Sequence, residues 1–195
     1  MIPLGKEAAD STIITDGAQI NASGSGVTYA SGGESESIVY NKLEIPRGGE
    51  FCLTLSDGTR VWLNSETSIQ YPVAFGAKER RVFVQGEAYF EVAKDANKPF
   101  TVQFMSSSVT VLGTSFNIRA YPEEKQSQTT LAEGSVRIYS PGSSMLLKPG
   151  EQVEVNALSG EMVKREVEVK SFTSWKDGRF VFEQQPLEDI MRTLE

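Results

Sequence analysis

The stretch Arg80-Arg81-Val82-Phe83-Val84-Gln85-Gly86-Glu87-Ala88-Tyr89-Phe90-Glu91-Val92 consists of two alternating segments that meet at a glycine. Apolar side chains recur at every second position on both sides of Gly86, which is the period of a strand half buried against a core. Gly86 permits a bend or a bulge where a side chain would obstruct the backbone. The pattern predicts two strands, with Ala88, Phe90 and Val92 buried and with Glu87, Tyr89 and Glu91 on the opposite face.

Two carboxylates beside an aromatic side chain are one pattern of glycosidase sites. Glu87 and Glu91 are four residues apart, which on one strand separates their backbones by roughly 13 Å. Paired glycosidase carboxylates lie about 5 to 9.5 Å apart. The spacing therefore favours a scaffold whose polar face is solvated or partly covered. A hydrolase that pairs Glu87 with a carboxylate from another strand, such as Glu133, stays open because sequence does not give cross-strand distances.

The bulk composition restricts the function classes. The chain has 195 residues with 19 Lys and Arg against 26 Asp and Glu, a formal charge of −7, one cysteine and no histidine. An acidic chain is unsuited to nucleic acid, whose binding requires a basic surface. Lack of histidine removes the usual general base and the commonest transition-metal ligand. We expect no enzyme, metal or cofactor, and Cys52 to be a small strand residue.

Short alternating runs separated by turn residues occur along most of the chain. Leu53 and Leu55 precede Asp57-Gly58, and Val61 and Leu63 follow it, which is a hairpin pattern. Many short strands at such spacing are typical of a sandwich or a barrel. We predict an all-β, jelly-roll-like β-sandwich that ends in the start of a truncated C-terminal α/β module.

The predicted organisation has three parts. Residues 1–39 form N-terminal β hairpins and loops joined to the β domain, with one hairpin at Asp16-Gly17. Residues 40–170 form the β-sandwich. Residues 171–195 form a linker followed by the first strand and helix of the C-terminal module.

Both ends of the sequence suggest a portion of a longer protein. The helix predicted over Pro186 to Glu195 follows a predicted strand at Arg179 to Phe182, and the chain stops inside that helix. A strand and a helix without a second layer cannot bury their apolar faces. Met1 to Gly5 does not resemble a targeting sequence, and no run approaches the roughly 18 apolar residues of a membrane span. We expect any spanning helix to lie outside this sequence.

Four further side chains have competing interpretations. Arg80 and Arg81, beside Glu79, predict a solvated strand start. Trp62 and Trp175 could anchor a partner, as aromatic residues do at interfaces, but packing beneath loops or between layers is favoured for both.

Several stretches, in order, resemble the FecR-type anti-sigma factors, especially their Bacteroidetes branch. The early marks are Tyr40-Asn41-Lys42-Leu43, Pro46-Arg47-Gly48-Gly49-Glu50, Leu55-Ser56-Asp57-Gly58-Thr59-Arg60-Val61-Trp62-Leu63-Asn64 and Gly86-Glu87-Ala88-Tyr89-Phe90-Glu91-Val92. The later marks are Pro99-Phe100-Thr101-Val102, Val111-Leu112-Gly113-Thr114-Ser115-Phe116-Asn117-Ile118, Leu131-Ala132-Glu133-Gly134-Ser135-Val136 and Trp175-Lys176-Asp177-Gly178-Arg179-Phe180-Val181-Phe182.

The resemblance implies a periplasmic domain of a regulator anchored in the inner membrane. It implies that the domain contacts the signalling domain of an outer-membrane TonB-dependent transducer. It further implies that an absent cytoplasmic segment binds an extracytoplasmic-function sigma factor and that an absent spanning helix provides the membrane anchor. Strand addition or helix docking would use apolar residues near the C-terminus. The predicted contact residues are Phe180, Phe182, Leu187, Ile190 and Leu194.

A carbohydrate-binding β-sandwich is the alternative function. In that hypothesis Trp62, Tyr89 and nearby carboxylates line a sugar groove. Loss of glycan binding in Trp62→Ala would favour it.

Overall fold

The computed structural model describes residues 11–15, 18–23, 26–30 and 39–179. These residues form sixteen strands, a four-residue helix α1 (Lys170–Thr173) and a one-turn 3-10 helix (Ser174–Asp177). The first eight strands are β1 (Ser11–Thr15), β2 (Ala18–Ser23), β3 (Gly26–Ala30), β4 (Tyr40–Glu44), β5 (Phe51–Thr54), β6 (Arg60–Leu63), β7 (Ser68–Pro72) and β8 (Arg80–Glu91). The remaining strands are β9 (Phe100–Phe104), β10 (Ser107–Val111), β11 (Ser115–Ala120), β12 (Gln126–Glu133), β13 (Val136–Ser140), β14 (Ser143–Leu147), β15 (Glu151–Asn156) and β16 (Met162–Glu166). The predicted all-β fold is confirmed.

The strands form two sheets that share β8. Sheet A has the order β1-β2-β3-β5-β6-β8-β11-β12-β15-β16, and sheet B has the order β4-β7-β8-β9-β10-β13-β14. Neighbours are antiparallel except for the pairs β3–β5 and β8–β9. The sandwich is therefore joined along one strand and approaches a barrel on that side.

Strand β8 changes sheets at Gly86. Its first half pairs with β7 and β9 in sheet B, and its second half pairs with β6 and β11 in sheet A. Gly86 has φ +102°, and a Cβ there would lie 2.5 Å from Thr67 Oγ1. The Thr67 hydroxyl accepts from the Glu87 N–H at 2.9 Å and donates to the Glu87 carbonyl at 3.1 Å. The bend predicted at Gly86 is confirmed, but the two predicted strands form one continuous strand, β8. The bend requires glycine for both conformation and space.

Over the described residues, one hydrophobic core lies between the two sheets. Phe90 from sheet A stacks on Phe116 with ring centroids 5.1 Å apart, and it contacts Phe100 from sheet B at 6.1 Å. The predicted burial of Ala88, Phe90 and Val92 is confirmed, as is the β5–β6 hairpin around Asp57-Gly58. The contact between Phe90 on β8 and Phe100 on β9 thus joins the two sheets across the core.

The prediction of a solvated strand start is wrong for Arg80. This side chain is 2% exposed and pairs with Asp57 at 2.8 Å. Its guanidinium also donates to the carbonyls of Ala93 and Lys98 and lies over the Phe100 ring. Because a buried guanidinium needs partners, Arg80 links three segments rather than facing water.

The N-terminal and C-terminal predictions differ in outcome. Strands β1 and β2 pair antiparallel, so the hairpin predicted at Asp16-Gly17 is confirmed by the pairing of its flanking strands. Helix α1 was not predicted. The strand at 179–182 and the helix at 186–195 lie outside the described residues, apart from Arg179. The three-part division of the chain remains a prediction.

Candidate functional site

The outward face of sheet A carries a row of side chains aligned by strand register. Trp62 on β6 lies opposite Tyr89 on β8, which lies opposite Asn117 on β11. The row continues to Thr130 and Gln152 on β12 and β15. Alternation places these residues on the side away from the core. Even so, all but Trp62 are at least nine-tenths buried, so the centre of this face is covered.

A segment after β16, residues 167–178, contributes to this cover, and we call it the connector. It begins with Val167, whose N–H donates to the Gly150 carbonyl at 2.8 Å, and it contains α1 and the 3-10 helix. The connector ends at Gly178, which has φ +67°. Trp175, 7% exposed, donates from Nε1 to Asn117 Oδ1 at 3.2 Å. The connector is thereby attached to the middle of sheet A.

A buried carboxylate lies next to Asn117. Glu87 is 6% exposed and accepts from Asn117 Nδ2 at 2.9 Å and from Asn64 Nδ2 at 3.0 Å. Arg119 Nη1 lies 3.4 Å from the same carboxylate. Burial raises the pKa of Glu87, whereas Arg119 and the two amides act to lower it. These donors replace the water that a buried carboxylate loses.

Arg119 connects this cluster to the rim of sheet A. It pairs with Glu124 through Nε at 3.0 Å and lies 4.9 Å from the Tyr121 ring centroid. Tyr121 donates its hydroxyl to the Ser65 carbonyl at 2.9 Å. Burial, together with the charge of Glu87, raises the pKa of Tyr121 to about 12. Tyr121 is therefore neutral and acts as a hydrogen-bond donor at ordinary pH.

The aromatic pair of the row is capped by a cation. Trp62 and Tyr89 make an edge contact with ring centroids 5.8 Å apart. Lys176 of the connector places Nζ 5.6 Å from the Trp62 centroid and 5.3 Å from the Tyr89 centroid. The Arg60 guanidinium lies 5.0 Å from the Trp62 centroid. These are cation–π distances.

The structure does not open the sugar groove that the carbohydrate hypothesis requires. Tyr89 is 6% exposed, and Lys176 takes the place over both rings that a ligand would occupy. The favoured interpretation of Trp62 and Trp175 as packed residues is confirmed by their contacts with the connector and with sheet A.

The positions of Glu87 and Glu133 also argue against the hydrolase hypothesis, which requires the two carboxylates to lie close together. Glu133 lies in register with Ser115 and Glu91, whereas Glu87 lies in register with Arg119. Glu87 and Glu133 are thus four residues apart in register, an offset of roughly 13 Å along the strands.

Over the described residues, no group of three or more potential metal ligands comes together. In the same part of the chain, no helix has the length and apolar character to cross a bilayer.

The residues predicted to bind a partner, namely Phe180, Phe182, Leu187, Ile190 and Leu194, lie outside the described residues. The connector leads directly into them. Sequence reasoning missed Asn117, Arg119 and Lys176. The sequence does show a polar residue, Asn117, between the apolar residues Phe116 and Ile118. Its role could not be inferred, because that role depends on strand register, which the sequence does not show.

Comparison with known proteins identifies relatives in sequence and in fold. The FecR family profile, described as "FecR protein", matches residues 41–137. Two crystal structures of a "putative anti-sigma factor" from Parabacteroides distasonis, at 2.50 and 1.65 Å resolution, each match the chain with a TM-score of 0.74 and 36% identity. The matches cover 80% of this chain and 74% and 73% of those chains. No functionally curated protein matches significantly.

Proposed function

This chain belongs to the FecR-type anti-sigma factor family, and from that membership we propose that it is the periplasmic signal-transducing part of an inner-membrane anti-sigma factor. Membership gives the chain a signal-transducing role in anti-sigma regulation. In the proposal, it relays the state of an outer-membrane TonB-dependent transducer to an extracytoplasmic-function sigma factor. A spanning helix and a cytoplasmic sigma-binding segment, both outside this sequence, complete the relay.

The observation that carries the proposal is the docked connector. Energetic coupling between two sites can pass through packed side chains and hydrogen bonds that have two discrete arrangements. Trp175 and Lys176 attach the connector to three central strands of sheet A. The residues that follow Gly178 include those predicted to contact the transducer. A force or rotation applied there would reach the β domain through these contacts.

The same site supports a regulatory role over a catalytic one. The family is regulatory rather than enzymatic. Glu87, the most deeply buried carboxylate of the site, is committed to Asn64, Asn117 and Arg119. We therefore propose that the chain is not an enzyme and that its partners are proteins.

Binding to the signalling domain of the transducer encoded beside this protein tests the contact. Isothermal titration of that domain with the complete periplasmic part of the protein, including the residues that finish the predicted C-terminal module, is expected to give saturable binding. Leu187→Asp with Ile190→Asp is expected to abolish binding because charges disrupt an apolar docking face. The matched control, Leu158→Asp, alters a side chain that is 98% exposed elsewhere and should bind normally. A flat titration with the unmodified complete periplasmic part would refute direct contact.

Topology and regulation are tested separately in cells. Fusions of the full-length protein to alkaline phosphatase after residue 195 are expected to be active, because that enzyme needs the oxidising periplasm. Deleting the gene should change transcription from the sigma factor's promoters, and inactive fusions or unchanged transcription would contradict the proposal.

A further inference from the structure

The connector is held to the β domain by few side chains. In its twelve residues, Trp175 is the one large apolar side chain that is more than nine-tenths buried. Among the described residues, the connector makes no strand pairing with sheet A. Its hydrogen bond and cation–π contacts with the face of the sheet are the Trp175–Asn117 bond and the position of Lys176 over two rings. Attachment therefore depends on a small number of groups that can separate together.

The helical part of the connector has little stability of its own. Helix α1 has four residues; its N-cap residue, Val169, makes no side-chain cap, and the Lys170 N–H has only a long hydrogen bond to Glu168 Oε1, at 3.4 Å. A helix this short does not form in isolation, because forming the first turn fixes several dihedrals for one hydrogen bond. Its conformation must come from docking. Segments with few buried apolar contacts open at much lower free energy than the core beneath them.

Asn117 receives its orientation from Glu87. Its Nδ2 donates to Glu87 Oε1, and its Oδ1 accepts from Trp175 Nε1. A carboxylate can only accept, and an indole N–H can only donate. The two ends of the amide are therefore assigned without ambiguity: reversing Asn117 would face an oxygen with an oxygen and a donor with a donor.

From this geometry we propose that the connector is a two-state element: Asn117, oriented by Glu87, holds Trp175, and release of Trp175 frees the connector as a unit while both sheets remain folded. Resting on the proposed function, we assign this release to the step by which engagement of residues after Gly178 is transmitted to the regulator. A partner that binds those residues better when the connector is free shifts the equilibrium toward release. Asn117 and Glu87 are positioning residues in this proposal.

Hydrogen exchange measured by mass spectrometry on the full chain tests the docked state. Asn117→Ala is expected to accelerate exchange of amides 170–177 by roughly tenfold, the effect of losing about one hydrogen bond's worth of stabilisation. Exchange in β8 should change much less than exchange of 170–177, and by no more than in Asn64→Ala, which also removes a donor to Glu87. Trp175→Phe keeps a buried ring but lacks the N–H donor, and it should accelerate the same peptides without threatening folding.

Asn64→Ala is the matched control, because Asn64 donates to the same carboxylate but does not touch the connector. It should leave exchange of 170–177 unchanged. Equal acceleration by Asn64→Ala and Asn117→Ala, or equal acceleration in β8, would show general loosening and overturn the proposal. So would unchanged exchange of 170–177 in both Asn117→Ala and Trp175→Phe.

Trp175 also gives an optical measurement. The chain has two tryptophans, so Trp62→Phe leaves Trp175 as the sole indole. Its emission should move to longer wavelength when Asn117→Ala is added, since the indole enters water. Emission that does not move, together with unchanged exchange of 170–177, would contradict release.

The regulatory step is measured last, in the full-length protein. Asn117→Ala, but not Asn64→Ala, should change sigma-dependent transcription without inducing ligand. If Asn117→Ala frees the connector in vitro yet transcription is unaltered, release is not the transmitting step. If transcription does not depend on the unmodified protein at all, the proposed function fails, while the exchange results still stand for the connector itself.

Discussion

Glu87 shows at the residue scale how a polar side chain on the outer face of a strand becomes part of the interior. Its strand position alone predicts exposure, but the cover over sheet A leaves it 6% exposed. The loss of hydration is offset by donors from Asn64, Asn117 and Arg119. A buried carboxylate with such partners acts as a fixed acceptor, and that property orients Asn117.

Titration of Glu87 predicts a pH dependence. Burial raises the pKa of Glu87, and the charge of Glu124 raises it further, whereas Arg119 and the amides of Asn64 and Asn117 act to lower it. A raised pKa means that the folded protein holds the proton more tightly. The contribution of Glu87 to stability is therefore fully present below the unfolded-chain pKa of about 4.3 and is lost as pH rises through the folded-state pKa.

Urea unfolding of the unmodified chain and Glu87→Gln from acid to neutral pH measures this contribution. The unfolding free energy of the unmodified chain minus that of the variant, which cannot titrate here, should fall as pH rises. A difference that stays flat or grows with pH would contradict the assignment.

Phe90 predicts a large effect of a core deletion. It is fully buried and packs on Phe116 and Phe100. Phe90→Ala should reduce the free energy of unfolding by about 3 to 5 kcal/mol, from lost burial and the cavity left behind. The control Phe83→Ala removes a ring that is 37% exposed on sheet B and should cost under about 1 kcal/mol. A near-neutral denaturation midpoint for Phe90→Ala would be incompatible with an enclosed core position.

Strand β8 decides the architecture at the element scale, because one strand belongs to both sheets. The change of sheet depends on Gly86, where a Cβ would meet Thr67 atoms at 2.5 and 2.7 Å. Gly58, in the β5–β6 turn, also has positive φ but has no atom within 4 Å of its would-be Cβ. A side chain at Gly58 would therefore meet conformational strain alone, whereas a side chain at Gly86 would meet both conformational strain and steric overlap.

Substituting both glycines tests that distinction. Gly58→Ala should cost about 1 to 2 kcal/mol, the conformational penalty alone. Gly86→Ala adds overpacking and should cost about 2 to 5 kcal/mol. Chemical denaturation measures both. Equal losses of unfolding free energy in the two variants would mean that the surroundings of Gly86 can make room for a methyl group. The change of sheet by β8 would then not depend on a missing side chain.

Arg80 and its partners join a turn and a loop that are not linked to each other by strand pairing. Arg80 on β8 binds Asp57 in the β5–β6 turn and the carbonyls of Ala93 and Lys98 in the following loop. Removing one member of a buried ion pair leaves the other charge buried without its partner, so Arg80→Met should lower the free energy of unfolding by about 3 to 5 kcal/mol. The neighbouring Arg81, 39% exposed and paired with Glu79, is the control, and Arg81→Met should cost about 0 to 1 kcal/mol. Thermal or urea unfolding that ranks the variants equally would contradict this role.

The whole β domain has one core and one strand common to both sheets, which predicts cooperative unfolding. Neither sheet can lose β8 without exposing the apolar face of the other. In a Trp175→Phe background, Trp62 fluorescence reports on sheet A, and exchange of β10 and β13 amides reports on sheet B. The two urea transitions should coincide, as for a two-state domain. Separate midpoints would show that the sheets are independent units.

The strands and their hairpins follow from the sequence because period-two alternation and turn residues are local properties. Those properties predicted the β5–β6 hairpin, the burial of Phe90 and the bend at Gly86. The motifs also indicated the FecR-type family. Burial of Arg80 was not predictable, since its partners come from a turn 23 positions away and a loop 18 positions away.

The sequence by itself determined the β period, the turns and the family. The tertiary structure alone decided that β8 belongs to two sheets, that Asn117 stands opposite Tyr89, and that the connector covers them both. The physical reason is that alternation assigns a side chain to a face but does not say what that face meets. Register between distant strands and the docking of Trp175 depend on contacts that exist only after the chain has folded.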